Sequence, residues 1–546
     1  MITCSHRDQV RPVVPRTEGC GECLRKGERW VHLRTCLICG EVGCCDSSPN
    51  RHATAHFEAT GHPLIRSLEP GESWAWCFVD REHFDGYQPA PLGMTAAVRV
   101  EPAKARTFLD TLYVEFLQRG IAYFFPGRQL VEVGATDTVD AALRCERAKG
   151  DAGVELSWLG RRYRLPGPLS ADESDLVRSI GRILEMRYHL LENTARAAQN
   201  LEMFSGLAED RYVSAYLDPS PFHDRGDAPS MPDRITSAIE VLRVSALSTY
   251  ENRPIQTGVL LFGTTPDACH PPPDQPDGAI RYSTVLTATR SFHRLCDGLS
   301  TLALVDADGM LAELVDVREW SQPYADLQLP LPAIERYRAH CRATLCGGHV
   351  CLVLTPNGEV KIFANGAQAF SFLDGRWRLT EAARKYGLWR DAVVDPAIAE
   401  RLFTAAQELA EARRGALFVV LDDRNTATEL IAARDLLDAP AHGAAPDEHH
   451  RQFQYLLRGK RVLDVPTAVL QSVARIDGAI VIDTDGELLA FGTILRHAPA
   501  TDVTAPPAEG GRTTAALGAS RFGSVLMVSE DGVVSFFRGG RAIWQM

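Results

Sequence analysis

The chain has 546 residues, 45% of them hydrophobic and 23% charged, with 58 Lys and Arg against 70 Asp and Glu and a net charge of −12. That length exceeds one core and predicts three or four domains at about 150 residues each, and the acidic balance argues against a non-specific nucleic-acid binder, which relies on basic surface. No apolar run approaches the roughly 18 residues of a membrane span, and the first residues lack the apolar stretch of a signal peptide, so the expected location is the cytoplasm.

The first 80 residues hold eight of the 14 cysteines and five of the 16 histidines. They read Cys4-x-His6, Cys20-x2-Cys23, Cys36-x2-Cys39, Cys44, His52-x3-His56, His62 and Cys77. A tetrahedral zinc site takes four thiolate, imidazole or carboxylate ligands, usually supplied as close pairs, and the pairs here suffice for three sites. In a reducing compartment such dense pairs favour metal over disulfides. The remaining cysteines (145, 269, 296, 341, 346 and 351) are scattered and read as small buried hydrophobes. Closed four-ligand sites do no chemistry. The bland reading is therefore a structural staple, metal replacing a core that so short a segment cannot build.

The stretch CLICGEVGCCDSSPNRHATAHFEATGHPL, followed by WAWCFVD, resembles the UBP-type zinc finger. That module binds ubiquitin tails in some deubiquitinases and in a histone deacetylase. The resemblance covers roughly residues 1–88. It implies one site of Cys20, Cys23, Cys44 and His52, a second of Cys36, Cys39, His56 and His62, and a third of Cys4, His6, Cys77 and Asp80. Asp80 stands where three-zinc members often carry a second cysteine, and a carboxylate also ligates zinc. Cys45, beside Cys44, is the alternative ligand; His32 and His83 fit no site and are expected on the surface. The resemblance further implies recognition of a free C-terminal carboxylate by aromatics and an arginine. Trp76 and Phe78 match two aromatic positions, with Trp30 and Trp74 as additions to the wall. Asp46 occupies the usual arginine position, leaving Arg51 as the substitute, since a guanidinium fork suits a carboxylate. The expected partner is the C-terminal tail of a ubiquitin-like or other protein.

After a linker from Gly86 to Gly93, a small α/β segment is expected over 95–168, with strands at AAVRV and QLVEV and a helix over AKARTFLDTLYVEFLQ. Ser170 and Glu173 form a capping box at the head of a linker helix over 170–205. Its heptad seam is Leu176, Ile180, Ile183, Arg187, Leu190, Thr194, Ala197, Leu201 and Phe204. That pattern suits either a short coiled coil supporting a homodimer or an amphipathic helix packed on its own domain. Residues 207–390 read as a mixed α/β region. GVLLFG is a buried-strand candidate, and LALVDADGMLAELVDV is a hairpin turning at Asp308-Gly309. Asp277-Gly278-Ala279 reads as a turn, and a meander follows with turns at Pro356-Asn357-Gly358, Asn365-Gly366 and Asp374-Gly375.

From about 395, a helix over AIAERLFTAAQELAEARR precedes the buried strand GALFVVLDD, an insert from Ala439 to His450, and the stretches RVLDVPTAVLQSVARIDGAIVIDTDGELLAFGTIL and EGGRTTAALGASRFGSVLMVSEDGVVSFFRGGR. This order over 395–546 resembles the diadenylate cyclase (DAC) domain, which joins two ATP molecules into cyclic di-AMP. In that family the aspartate of Asp-Gly-Ala, here Asp477-Gly478-Ala479, binds Mg or Mn and activates a ribose hydroxyl. The family's Arg-His-Arg is here Arg512-Thr513-Thr514. Phosphoryl transfer needs positive charge on the phosphate oxygens, so the two threonines weaken catalysis more than binding. The helix N-terminus and the hydroxyls of Thr513 and Thr514 still offer neutral donors to a phosphate.

The layout resembles bacterial DAC-like proteins with an N-terminal sensor. The expected fold is thus multidomain α/β: a small zinc-stapled N-terminal module, a central mixed α/β sensor-like region and a C-terminal DAC-like α/β domain. Three functions stand: a nucleotide-binding signalling protein joined to a tail reader, an active diadenylate cyclase, and a non-enzymatic adaptor.

Overall fold

Apolar runs and Asx-Gly turns form sheets over most of the described chain. The structure is a computed structural model. It describes residues 4–11, 13, 15–17, 19–69, 72, 74–84, 102–136, 143–147, 153–192, 204, 206–218, 233–250, 253–263, 265, 267, 269–289, 291–438, 451–496 and 510–546. The expected linker from Gly86 to Gly93, the strand over 96–100 and the insert from Ala439 to His450 lie outside these residues, as do Thr194, Ala197 and Leu201 of the heptad seam. The chain divides into two units, Met1–Phe108 and Leu109–Met546. No described helix is long and apolar enough to cross a membrane.

The first unit holds a five-stranded antiparallel sheet ordered Val42–Cys44, Leu33–Cys36, Leu64–Ser67, Ala75–Cys77 and Glu82–Phe84. The helix His52–Thr60 crosses its edge. Gly43 permits this, because a Cβ there would fall 2.5 Å from the Ala53 amide nitrogen. Its apolar clusters are small: Leu37, Leu64, Ala75 and Cys77 in one, Cys20, Cys23 and Cys44 in the other.

The second unit begins within the helix Pro102–Phe124, which is followed by an antiparallel sheet ordered Val131–Ala135, Arg161–Leu165, Val154–Trp158 and Arg144–Arg147. The capping box forms as expected: Ser170 Oγ accepts from the Glu173 amide at 2.9 Å, and Glu173 Oε2 accepts from the Ser170 amide at 2.8 Å. The helix it opens is described over Ala171–Glu192. Leu176, Ile180, Ile183 and Leu184 are 0% exposed and pack in one core with Leu117 and Ile121. That is the second of the two arrangements the heptad pattern allows. Leu176, Ile180 and Ile183 of the seam are thus spent inside their own unit, while Phe204 at its far end is exposed. The same core runs on to Val259, Leu352 and Ile362, joining the small sheet to the central one.

The central sheet has eight strands, ordered Ile280–Arg281, Met310–Asp316, Thr301–Val305, Thr257–Leu261, Val350–Leu354, Val360–Ala364, Ala367–Leu373 and Arg376–Leu379. Only Thr257–Leu261 and Thr301–Val305 pair in parallel. Two meander turns have both central residues left-handed, Asn365 (φ 51°) with Gly366 (78°) and Asp374 (52°) with Gly375 (76°). This is the geometry that makes Asx-Gly a hairpin signal. Asp277-Gly278-Ala279 is a turn, its Ala279 amide donating to the Pro276 carbonyl at 3.0 Å.

The last sheet is ordered Leu488–Thr493, Ala479–Ile482, Ala416–Leu421, Gly523–Val528, Val534–Arg538 and Arg541–Gln545. Along Ala416–Leu421 every residue is buried. Phe418 and Val420 face a core shared with the helix Pro396–Glu411, while Leu417, Val419 and Leu421 face one shared with the helix Gly511–Ala519. The first of these helices starts where its sequence says: the Asp395 carboxylate accepts from the Ala397 amide at 2.8 Å, and Pro396 occupies the first turn.

Candidate functional site

In the first unit the cysteines and histidines converge as three groups of four: Cys20, Cys23, Cys44 and His52; Cys36, Cys39, His56 and His62; Cys4, His6, Cys77 and Asp80. Within each, the candidate ligand atoms lie within 4.8 Å of one another. In the first group His52 Nδ1 is 3.2, 3.2 and 3.5 Å from the sulfurs of Cys20, Cys23 and Cys44, and Cys23 and Cys44 are 3.9 Å apart. A tetrahedral zinc with ordinary S and N bond lengths has edges of about 3.5–3.8 Å, so the donors fit a cation at their centre. In the second group Cys39 Sγ lies 3.3 Å from His56 Nε2, and His62 Nδ1 is buried with no hydrogen-bond partner, as befits a ring nitrogen reserved for a metal.

The third group is looser. His6 Nδ1 and Asp80 Oδ2 are 2.9 Å apart, and Cys77 Sγ is 3.7 Å from the first and 3.6 Å from the second. The Ser5 amide also donates to Asp80 Oδ2 at 2.9 Å. Burial pushes the Cys4, Cys23 and Cys36 thiols up, to about 11, 12 and 11. These clustered thiols become thiolates by exchanging protons for a metal cation, and zinc suits a sulfur-rich donor set. Cys45 is turned away from the first group, its sulfur 3.5 Å from Ser48 Oγ and 3.8 Å from His32 Nδ1. His32 and His83 are exposed.

The aromatic wall is partly as expected. Trp76 and Trp74 flank the His83 ring at 4.6 and 5.1 Å between centroids, and Phe78 stacks on Phe57 at 4.8 Å. Trp30 packs instead beside the first metal group, against Cys20, Cys23 and Cys44. Arg51 is exposed in a left-handed conformation (φ 47°) at the head of the helix His52–Thr60. No hydrogen bond, ion pair or ring contact joins it to Trp76 or Phe78 among the described residues. The arginine that does meet this wall is Arg34, whose guanidinium lies 4.5 Å from the centre of the Trp74 ring. It is anchored by donating to the Leu33 carbonyl and to Ser67 Oγ. Motif spacing missed Arg34 because it precedes every aromatic of the wall by a long loop of sequence.

At the other end of the chain, Asp477 is exposed, and its carboxylate makes no hydrogen bond or ion pair among the described residues. Gly478 (φ 114°) lies where a Cβ would fall 2.5 Å from the Gly492 carbonyl carbon, so glycine is required. Ala479 opens a strand paired in parallel with Ala416–Leu421, Phe418 opposite Ile480. Gly415 is therefore level with Asp477. The Arg512 guanidinium covers Gly415 and pairs with Glu530 Oε1 at 2.9 Å. Asp477 and Arg512 thus share one end of the sheet.

Thr513 and Thr514 both donate their hydroxyls to protein acceptors, Thr513 partly buried and Thr514 at the surface. Thr513 donates to Met527 Sδ at 3.8 Å, and Thr514 to the Gly510 carbonyl at 3.2 Å. The helix N-terminus thus presents backbone amides and Arg512 rather than free hydroxyl donors. Arg521 lies past the far end of the same helix, against Gly540, and does not reach this site. The opposite end of the parallel pair is closed by Arg424, which binds Asp438, Asp483 and Glu487.

Residues 20–88 match the family model of the zinc finger in ubiquitin hydrolases and other proteins, and residues 403–542 match that of the DisA bacterial checkpoint controller nucleotide-binding domain, DAC. The chain thus joins a UBP-type zinc finger to a DAC domain; Cys4 and His6 precede the matched finger. Among solved structures, protein RPA1320 from Rhodopseudomonas palustris is 54% identical over 16% of this chain and 83% of its own, with a TM-score of 0.15. A hypothetical membrane spanning protein from Bacillus cereus is 22% identical over 30% of this chain and 70% of its own (TM-score 0.21). A double cysteine mutant of DacA from Staphylococcus aureus is 20% identical over 27% and 84% (TM-score 0.19). No curated protein matches the chain.

Gly478→Ala is expected to destabilise the last domain by about 1–3 kcal/mol from overpacking alone, read by chemical denaturation. An unchanged midpoint would contradict the close backbone approach at Gly492.

Proposed function

We propose that this is a nucleotide-binding signalling protein whose DAC domain holds a nucleotide at the end of the sheet that carries Asp477 and Arg512, with a zinc-stapled reader of protein C-terminal tails at its head. The observation that carries the first part is the placing of Asp477 and Arg512 at one sheet end. An unpartnered carboxylate for Mg or Mn stands there with a guanidinium for phosphate. The Gly478 and Ala479 backbone gives a nucleotide room to approach. Arg512 is held by a single exposed carboxylate, a pair worth less than about 1 kcal/mol. A phosphate can therefore take the guanidinium from Glu530 at little cost. The exposed first amides of the helix Gly511–Ala519 add neutral donors beside it.

With threonines at 513 and 514, cationic side chains at that helix start are reduced to Arg512. Binding survives this better than catalysis, so the reading favours a sensor or a slow cyclase. Incubating the chain with ATP and Mn²⁺, with mass spectrometry for cyclic di-AMP and calorimetry for binding, separates the cases. ATP binding that weakens at least tenfold in Asp477→Ala, with little or no product, is expected. Abundant product lost in Asp477→Ala would replace the sensor with a working cyclase. No binding at all would leave an adaptor.

For the head of the chain we assign three zinc ions, one to each group of four. Elemental analysis should return about three zincs per chain and about two in Asp80→Ala, by the four-ligand rule. A value near one in the unaltered chain would sink the assignment. The tail reading rests on the Trp74, Trp76 and His83 wall with Arg34 against it. A fluorescent peptide ending in Gly-Gly with a free carboxylate should bind, and its C-terminal amide should bind at least tenfold more weakly. Equal binding of both, or binding unaffected in Trp76→Ala, would remove the carboxylate from the account.

A further inference from the structure

A cavity of about 510 Å³ lies between the central sheet and the DAC domain. That volume and its place between two domains are those of a small-molecule site. Much of its wall is apolar, including Ile334, Phe363, Leu379 and Val534. Its charges are unevenly satisfied. Lys361 is held by Glu411 at 3.0 Å and Glu359 at 3.4 Å, and Glu411 also accepts from the Tyr337 hydroxyl at 2.7 Å. Arg336 also reaches Glu411, at 3.7 Å, so two cations meet two carboxylates and that network is internally neutralised.

Lys385 is different. It lines the cavity, is only 7% exposed, and its ammonium has no hydrogen-bond or ion-pair partner among the described residues. The carboxylates nearest in charge are engaged elsewhere: Glu381 by Arg384, Glu173 by Arg128 and the Ser170 amide. Burial pushes the Lys385 ammonium below the ordinary lysine range, with Glu381 pulling the other way. A buried cation without a partner is costly unless something pairs with it. Arg378 and Arg413 also line the cavity without an ion-pair partner among the described residues, against Asp531 as the remaining side-chain carboxylate. The unpaired excess is cationic.

One wall of this cavity is the hairpin turn that carries Glu530. Asp531, Gly532, Val533 and Val534 line it, and the turn is closed by Gly532 donating to the Ser529 carbonyl at 3.1 Å. Glu530, one residue away, holds Arg512. A ligand against this turn touches the element that holds the arginine of the nucleotide site.

We infer that the cavity is an effector site for a small amphipathic anion, an apolar body with one carboxylate, sulfonate or phosphate set toward Lys385, and that its occupancy reaches Arg512 through the Glu530 turn. The coupling rests on the nucleotide reading above; the site itself does not.

The probe is 8-anilinonaphthalene-1-sulfonate, an aromatic body with one sulfonate, titrated into the full chain by fluorescence. One saturable site per chain is expected, weakened at least tenfold in Lys385→Met, which keeps the stem and removes the charge, and in Ala367→Phe, which fills the cavity. Circular dichroism confirms that both variants fold. N-phenyl-1-naphthylamine, the same body without the sulfonate, should bind the unaltered chain at least fivefold more weakly. Equal affinity for the two probes would overturn the anion site even if both variants failed to fold, as would variants that fold and bind the sulfonate normally. With the sulfonate saturating, ATP affinity measured by calorimetry should change at least threefold, and the change should vanish in Glu530→Gln. An unchanged ATP affinity would overturn the coupling. Failure of ATP to bind under any condition would instead count against the nucleotide reading and leave the cavity result standing.

Discussion

Burial of one strand on both faces governs the C-terminal half. Ala416–Leu421 has no solvent-facing side, so its alternate residues must satisfy two different cores. That requirement fixes its register, since a slip of one residue would exchange the two sets. Register in turn fixes chemistry. The parallel neighbour starts at Ala479, which sets Asp477 level with Gly415, and the antiparallel neighbour Gly523–Val528 ends just before Glu530. Arg512 reaches across the one residue at that level without a side chain. The proposed nucleotide site is therefore a product of packing on a strand that carries none of its functional groups.

The N-terminal module obeys a different constraint. Its apolar clusters amount to a few side chains, several of them the cysteines themselves. A segment this short cannot offset its conformational entropy by burial alone, and metal ligation supplies the missing free energy. His52 and His56 lie on one helix one turn apart yet serve different groups, so that helix ties two sites together. The third group draws on the start of the chain and on Asp80, closing the module over the far end of its sheet. Recognition, where it occurs, belongs to the Trp74 and Trp76 surface, because closed metal groups leave no open coordination position.

Between these lies a region whose parts looked separable and are not. The small sheet, the helix Ala171–Glu192 and one face of the central sheet share a single core. The helix that suggested a coiled coil spends its described apolar seam there. The other side of this region meets the DAC domain through a second core, where Tyr386 and Trp389 pack on Phe403 and Phe536, and around a cavity with a buried lysine in its wall.

Much of this was legible in the sequence. Metal-ligand spacing is local and rigid, so the three groups of four could be written down from pair intervals and a family resemblance. Asx-Gly turns, the Ser170 capping box and the two-sided strand are likewise signals carried within a few residues, where backbone sterics and hydrogen bonding decide. What spacing could not supply was anything set by distant contacts. Arg34 rather than Arg51 meets the aromatic wall because strand pairing, not sequence distance, brings them together. Thr513 turns its hydroxyl inward because Met527 is in reach. The first part of the heptad seam, compatible with two packings, lies in a core assembled from elsewhere in the chain. Sequence alone determined which chemical groups this protein owns and which local elements carry them. Tertiary structure decided which of those groups face one another, because side-chain neighbours are chosen by the burial of surfaces that lie far apart along the chain.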